Sequence, residues 1–98
     1  MGKPGIHNLL YVLECDNEQY IKIGICKDEG VLKKRINTLQ TGNPKKINLV
    51  YAEERLSAKN AEKYLHQCFD EQRCEGEWFE GITLNDIRRK LMLFHDQD

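Results

Sequence analysis

No apolar run in these 98 residues approaches the length of a membrane-spanning helix. The opening, MGKPGIHN, holds no hydrophobic signal segment. It begins like an acylation site, but Ile6 stands where Ser or Thr is required. These absences predict a cytoplasmic protein, in a bacterial or host cytosol, that is not secreted and has no membrane partner. No C-x-x-C pair occurs among Cys15, Cys26, Cys68 and Cys74, and their spacings suit no common zinc motif. They read as reduced, partly buried thiols, with a zinc site borrowing His66 as the weaker alternative. No linker, repeat or low-complexity segment divides the chain. Net charge is almost missing as well, at -1 near neutral pH.

What is present is enough for one modest core: 40% of the residues are hydrophobic. A single domain over 1–98, with its core about 8–95, is expected. The small net charge hides an asymmetry. Residues 1–50 carry eight Lys or Arg against five Asp or Glu, and residues 51–98 carry seven against eleven. Three basic clusters stand out: Lys33-Lys34-Arg35, Lys45-Lys46 and Arg88-Arg89-Lys90. Such clusters are commonly solvated faces. Together they allow a local phosphate-binding surface without a basic pI.

Periodicity orders the chain. NLLYVLEC (8–15) reads as a strand, the polar DNEQ as a turn, and YIKIGIC (20–26) as the hairpin partner. VLKKRINTLQ (31–40) reads as a helix with Leu32, Ile36 and Leu39 on one stripe, stopped by Gly42, Asn43 and Pro44. INLVYAEE (47–54) is a third strand. Ser57 suits the N-cap of a helix over AKNAEKYLHQCFDEQ, with Ala61, Leu65, Cys68 and Phe69 inward. GEWFEG (76–81) reads as a short aromatic connection. Thr83 with Asp86 resembles a capping box for a last helix burying Leu84, Ile87, Leu91 and Phe94. The final HDQD reads as a fraying end. The expected fold is α+β: a three-stranded, largely antiparallel sheet flanked by three helices in the order β-β-α-β-α-α.

The second strand poses the functional question. Ile21, Ile23 and Ile25 share one face and suit a core, while Tyr20, Lys22, Gly24 and Cys26 share the other. A hairpin closing with Cys15 opposite Tyr20 sets Leu13 against Lys22 and Tyr11 against Gly24, making Tyr11 and Lys22 diagonal neighbours. The plain reading is a half-buried aromatic and an exposed lysine. The chemical reading is a phenol whose ionised form a nearby ammonium favours, poised over the gap at Gly24 to position and deprotonate a water. Arg35, at the edge of its helix's apolar stripe, is either a snorkelling side chain or a phosphate fork. Glu62 and His66, four apart on one helix face, are either a surface pair or a carboxylate for a divalent metal with an imidazole beside it. Lys59 and Lys63 read as solvent-facing. Trp78 and Phe79 read as core, closing the sheet against the last helix, and Glu77 is left without a role.

Taken in order, LLYVL, YIKIGI, Arg35, AEKYLHQCF and GEWFE resemble the GIY-YIG nuclease superfamily. The similarity is strongest to its compact phage and "meiotically up-regulated gene" branch, where the second motif reads K-I-G and Leu-Gln-Thr-Gly and Glu-Trp-Phe stretches follow. Here those are Leu39-Gln40-Thr41-Gly42 and Glu77-Trp78-Phe79. The resemblance spans roughly residues 9–80. It implies metal-assisted hydrolysis of DNA. Tyr11 matches the first-motif tyrosine, Gly24 the second-motif glycine, Arg35 the arginine at the scissile phosphate, and Glu62 the ligand of one Mg²⁺ or Mn²⁺. His66 matches a histidine of the branch. Leu9-Leu10 replace Gly-Ile, and Lys22 replaces a tyrosine, so the base is either Tyr11 or Lys22. Substrate contacts are expected from Gly24, Lys33, Lys34, Lys45 and Lys46, with DNA as partner and a homodimer as an option. Two rival readings stand beside the endonuclease: a DNA-binding module that does not cut, and a protein-interaction or inhibitor domain using the acidic C-terminal half.

Overall fold

The structure, a computed structural model, describes residues 8–94 apart from Glu18. The opening segment and the HDQD end lie outside the described residues. The elements run β1 (Leu9–Cys15), β2 (Tyr20–Cys26), α1 (Glu29–Gln40), β3 (Ile47–Glu54), α2 (Ala58–Cys68), β4 (Arg73–Glu75), β5 (Trp78–Glu80) and α3 (Leu84–Met92), with a short 3-10 turn at Asp70–Gln72. The strands form one antiparallel sheet of five, ordered β3-β1-β2-β5-β4. The α+β class is as expected, but the three-stranded sheet is overturned. The stretch GEWFEG is no connection. Its Trp78–Glu80 pairs with β2, and Arg73–Glu75, which the sequence reading leaves outside any element, pairs with it in turn. The helix stops at Cys68 and leaves the chain free to enter the sheet. Gly76, at φ +59, makes the tight turn between the two short strands.

The hairpin register is the expected one: Cys15 faces Tyr20, Leu13 faces Lys22 and Tyr11 faces Gly24. Asp16 and Asn17 reverse the chain at positive φ, +60 and +56. Those two residue types tolerate that region best after glycine. β1 has a partner on each edge and is buried on both faces except at Glu14. Its near-continuous apolar run follows from that position.

Each sheet face has its own core. On one, Ile21 and Ile23 pack with Leu10, Val12, Leu65, Phe79, Ile87 and Leu91 beneath α2 and α3. On the other, Tyr11, Leu13 and Cys26 pack with Leu32 of α1, and Trp78 adjoins them. Phe79 is therefore core on the α2–α3 side, as expected, whereas Trp78 points to the opposite face and does not close against the last helix. Burying each large apolar side chain contributes about 1.5–3 kcal/mol.

Helix ends are set locally. α1 starts two residues before the expected Val31 because the Asp28 side chain accepts from Val31 N at 2.9 Å. α3 carries the expected capping box: Asp86 N donates to Thr83 Oγ1 at 3.1 Å and Thr83 N to Asp86 Oδ2 at 2.9 Å. The four cysteines are free thiols, Cys15 and Cys26 buried and Cys74 exposed. Among the described residues no helix is long and apolar enough to cross a membrane.

Candidate active site at the open edge of the second strand

β5 covers β2 only as far as Lys22, and the chain then turns away. Ile23 N still reaches the Glu77 carbonyl at 3.2 Å. Beyond it, side chains take over. His66 Nε2 lies 2.9 Å from the Ile23 carbonyl, and Arg35 Nη1 donates to the Ile25 carbonyl at 2.8 Å. A backbone acceptor at the edge of a sheet wants a donor, and α1 and α2 each supply one from opposite faces. Facing a carbonyl, His66 Nε2 carries the proton.

On the α1 face the gap at Gly24 is filled by Tyr11 itself. A Cβ at Gly24 would stand 2.6 Å from Tyr11 Oη and 2.7 Å from Cζ, so only glycine lets the phenol lie there. The expected open floor is absent. The expected pairing of Tyr11 with Lys22 is also replaced. Arg35 Nη1 lies 3.5 Å from Tyr11 Oη, a long contact, and Lys22 Nζ donates to Glu77 Oε1 at 2.8 Å. Burial raises the Tyr11 pKa and outweighs the opposing hydrogen bond and charge of Arg35, so the group is a phenol rather than a phenolate. Tyr11, Lys22, Lys34, Arg35 and Glu77 line a depression of about 410 Å³.

Glu62 and His66 stand on the α2 face, with Nε2 4.0 Å from Glu62 Oε2. That Oε2 is buried and has no hydrogen-bond partner. The Glu62 pKa is pushed up to about 7, first by burial, then by the charge of Glu77 and a hydrogen bond shared with it, against the positive charges of Lys22 and Arg35. Burial works to raise Glu77 too, but its bond to Lys22 and that cation's charge hold it below the usual carboxylate value, helped by the shared bond with Glu62 and by His66. The two carboxyls therefore compete for one shared proton, which Glu77 gives up first and Glu62 keeps to higher pH.

A family model, the T5orf172 domain, matches residues 8–93, nearly all of the described chain. The chain belongs to the T5orf172 family. This is a phage-associated, nuclease-related domain, which points to nuclease-like or DNA-binding function and to DNA as partner. Comparison with curated proteins and with solved structures gave no match.

The T5orf172 structure thus brings Tyr11, Lys22, Gly24, Arg35, Glu62 and His66 to one strand edge and adds Glu77, which sequence reasoning missed. Its signal was the Glu-Trp-Phe triplet, but its partner Lys22 lies 55 positions away. Lys34 borders the site, while Lys45 pairs with Asp16 at 3.4 Å and lines a separate depression with Tyr20 and Trp78. Lys33 and Lys46 are exposed and border neither depression.

The residues suit a divalent ion in a specific way. An orphaned buried carboxyl oxygen, with a second carboxyl beside it, lacks the direct contact that a cation would supply. Among the described residues no three His, Cys, Asp or Glu groups converge. The arrangement fits an ion that keeps most of its waters, as Mg²⁺ does, and not a closed protein cage.

Proposed function

We propose that this T5orf172 domain is a GIY-YIG-type endonuclease that hydrolyses DNA phosphodiester bonds with one Mg²⁺ or Mn²⁺ held by Glu62, with Glu77 beside it. The observation that carries the reading is the convergence of Arg35, Tyr11, Lys22 and the Glu62–Glu77 pair at one open strand edge. When bound, the ion polarises the phosphate and stabilises the leaving oxygen. Arg35 binds the Ile25 carbonyl with one nitrogen, and its exposed guanidinium has further N–H groups for phosphate oxygens, neutralising charge as it develops. Burial keeps Tyr11 a phenol, and because its Oη accepts from Arg35 its own proton is left to orient the attacking water. Lys22, anchored by Glu77, adds positive potential at the phosphate. His66, committed to the Ile23 carbonyl, is a positioning residue for α2 and Glu62. These groups together must lower the barrier by more than ~10 kcal/mol, since the uncatalysed reaction is very slow.

A DNA binder that does not cut is the second reading, favoured by the lack of a three-ligand cluster among the described residues. Nicking of supercoiled plasmid in Mg²⁺ or Mn²⁺ separates the two. The endonuclease reading expects nicking by the wild type and its loss in Glu62→Gln and in Arg35→Gln. Equal nicking by all three proteins, or none by the wild type alongside intact DNA binding, overturns it.

A further inference from the structure

We propose that DNA runs from the candidate site along the outer face of α2, its phosphates held by Lys59 and Lys63, and that the Lys45–Lys46 cluster takes no part. The proposal rests on the DNA-hydrolysis reading and adds the path of the strand. Lys59, Glu62, Lys63, His66 and Gln67 recur at three- and four-residue spacing and so share one face of α2. With Asp70 and Arg73 they border a depression of about 560 Å³.

The charges on this face do not cancel. Asp70 is matched by Arg73 at 3.5 Å. Glu62 is half-buried and its Oε2 fully so, set back from the solvent where the lysines stand. Lys59 and Lys63 are exposed, and among the described residues neither has an ion-pair partner. They flank Glu62 on the helix and stand four residues apart, about 6 Å along the axis. Each DNA strand presents one phosphate per ~3.4 Å of its axis, so two flexible ammonium groups at that separation reach neighbouring phosphates. Across the β2 edge, exposed Lys34 borders the depression that holds Tyr11 and Arg35. A strand whose phosphate meets Arg35 therefore finds free cations on both sides.

In the rival cluster Lys46 borders neither depression, and Lys45 is already engaged. Lys45 is paired with Asp16, and their depression also carries Glu75, so its two acids outnumber its one cation. Phosphate is repelled there rather than drawn in.

Fluorescence anisotropy of a labelled duplex, in EDTA to prevent cleavage, tests the path between roughly 50 and 200 mM salt. Each phosphate contact contributes about 0.9 to the slope of log affinity against log salt. The Lys59→Gln/Lys63→Gln double variant is expected to reduce that slope by about 2 and to weaken binding at low salt on the order of tenfold. Lys59→Arg/Lys63→Arg is expected to retain the slope, and Lys45→Gln/Lys46→Gln to leave slope and affinity unchanged. Salt-dependent binding that survives Lys59→Gln/Lys63→Gln intact, or that is lost in Lys45→Gln/Lys46→Gln, overturns the path while leaving the DNA reading in place. A wild type with no salt-dependent binding overturns both.

Discussion

Gly24 and Tyr11 form the tightest fit in the site. A methyl at position 24 would meet the phenol at 2.6 Å, well inside contact distance, and both residues are buried in a sheet interior that cannot shift cheaply. Gly24→Ala is expected to cost about 1–3 kcal/mol in thermal melts. In a Tyr11→Ala background the same change should cost clearly less; an equal cost would show that Tyr11 is not what the methyl meets. Glu77 can be probed through its neighbours. Its charge raises the Glu62 pKa and its carboxylate anchors Lys22. Glu77→Gln is expected to slow plasmid nicking roughly tenfold or more and to move the pH–rate profile toward acid; a slowed rate with an unmoved profile would argue against the shared proton. The sequence disclosed Tyr11, Gly24 and Lys22 because a four-residue turn fixes their register arithmetically. It was silent on Glu77 because nothing local says where a residue between two short strands will point.

At the scale of elements, the long periodic segments were legible and the short ones were not. β3 runs over the expected residues, and Thr83 and Asp86 cap α3 as their spacing indicates. Thr83→Ala should lower stability by about 1 kcal/mol, read as a lower denaturation midpoint with an unchanged slope; a loss within a few tenths would mean that packing of Ile87 and Leu91 alone holds the helix end. β4 and β5 escaped notice for a physical reason. Each has three residues, too few to display alternation, and every side chain of β4 is exposed. They exist because β2 offers backbone partners, which is tertiary information. The DEQ segment was likewise expected to continue α2, but there the chain narrows to a 3-10 turn as it enters the sheet.

For the whole molecule, the buried carboxyl sets how stability varies with pH. Glu62 ordinarily titrates near 4.5 and in the fold near 7. Between those values the folded state holds a proton that the unfolded state releases, so stability falls as pH rises through this window and the full penalty is present above it. The metal-free wild type should therefore lose more stability between about pH 5 and about pH 8 than Glu62→Gln, by roughly 1–3 kcal/mol in urea titrations. Equal losses would mean that Glu62 titrates normally. Such a penalty is large for a domain with a core this small. It marks the carboxyl as kept for something other than stability.

The donors that close the β2 edge also decide which inactive proteins are worth making. His66 and Arg35 block two carbonyls that would otherwise be available to a strand from another molecule. Replacing either by alanine exposes a sticky seam as well as removing a chemical group, so a silent preparation could be an aggregated one. Glu62→Gln and Lys22→Gln remove charge and leave the seam shut. Those are the substitutions to choose when a trapped, uncut complex is wanted for crystals or microscopy.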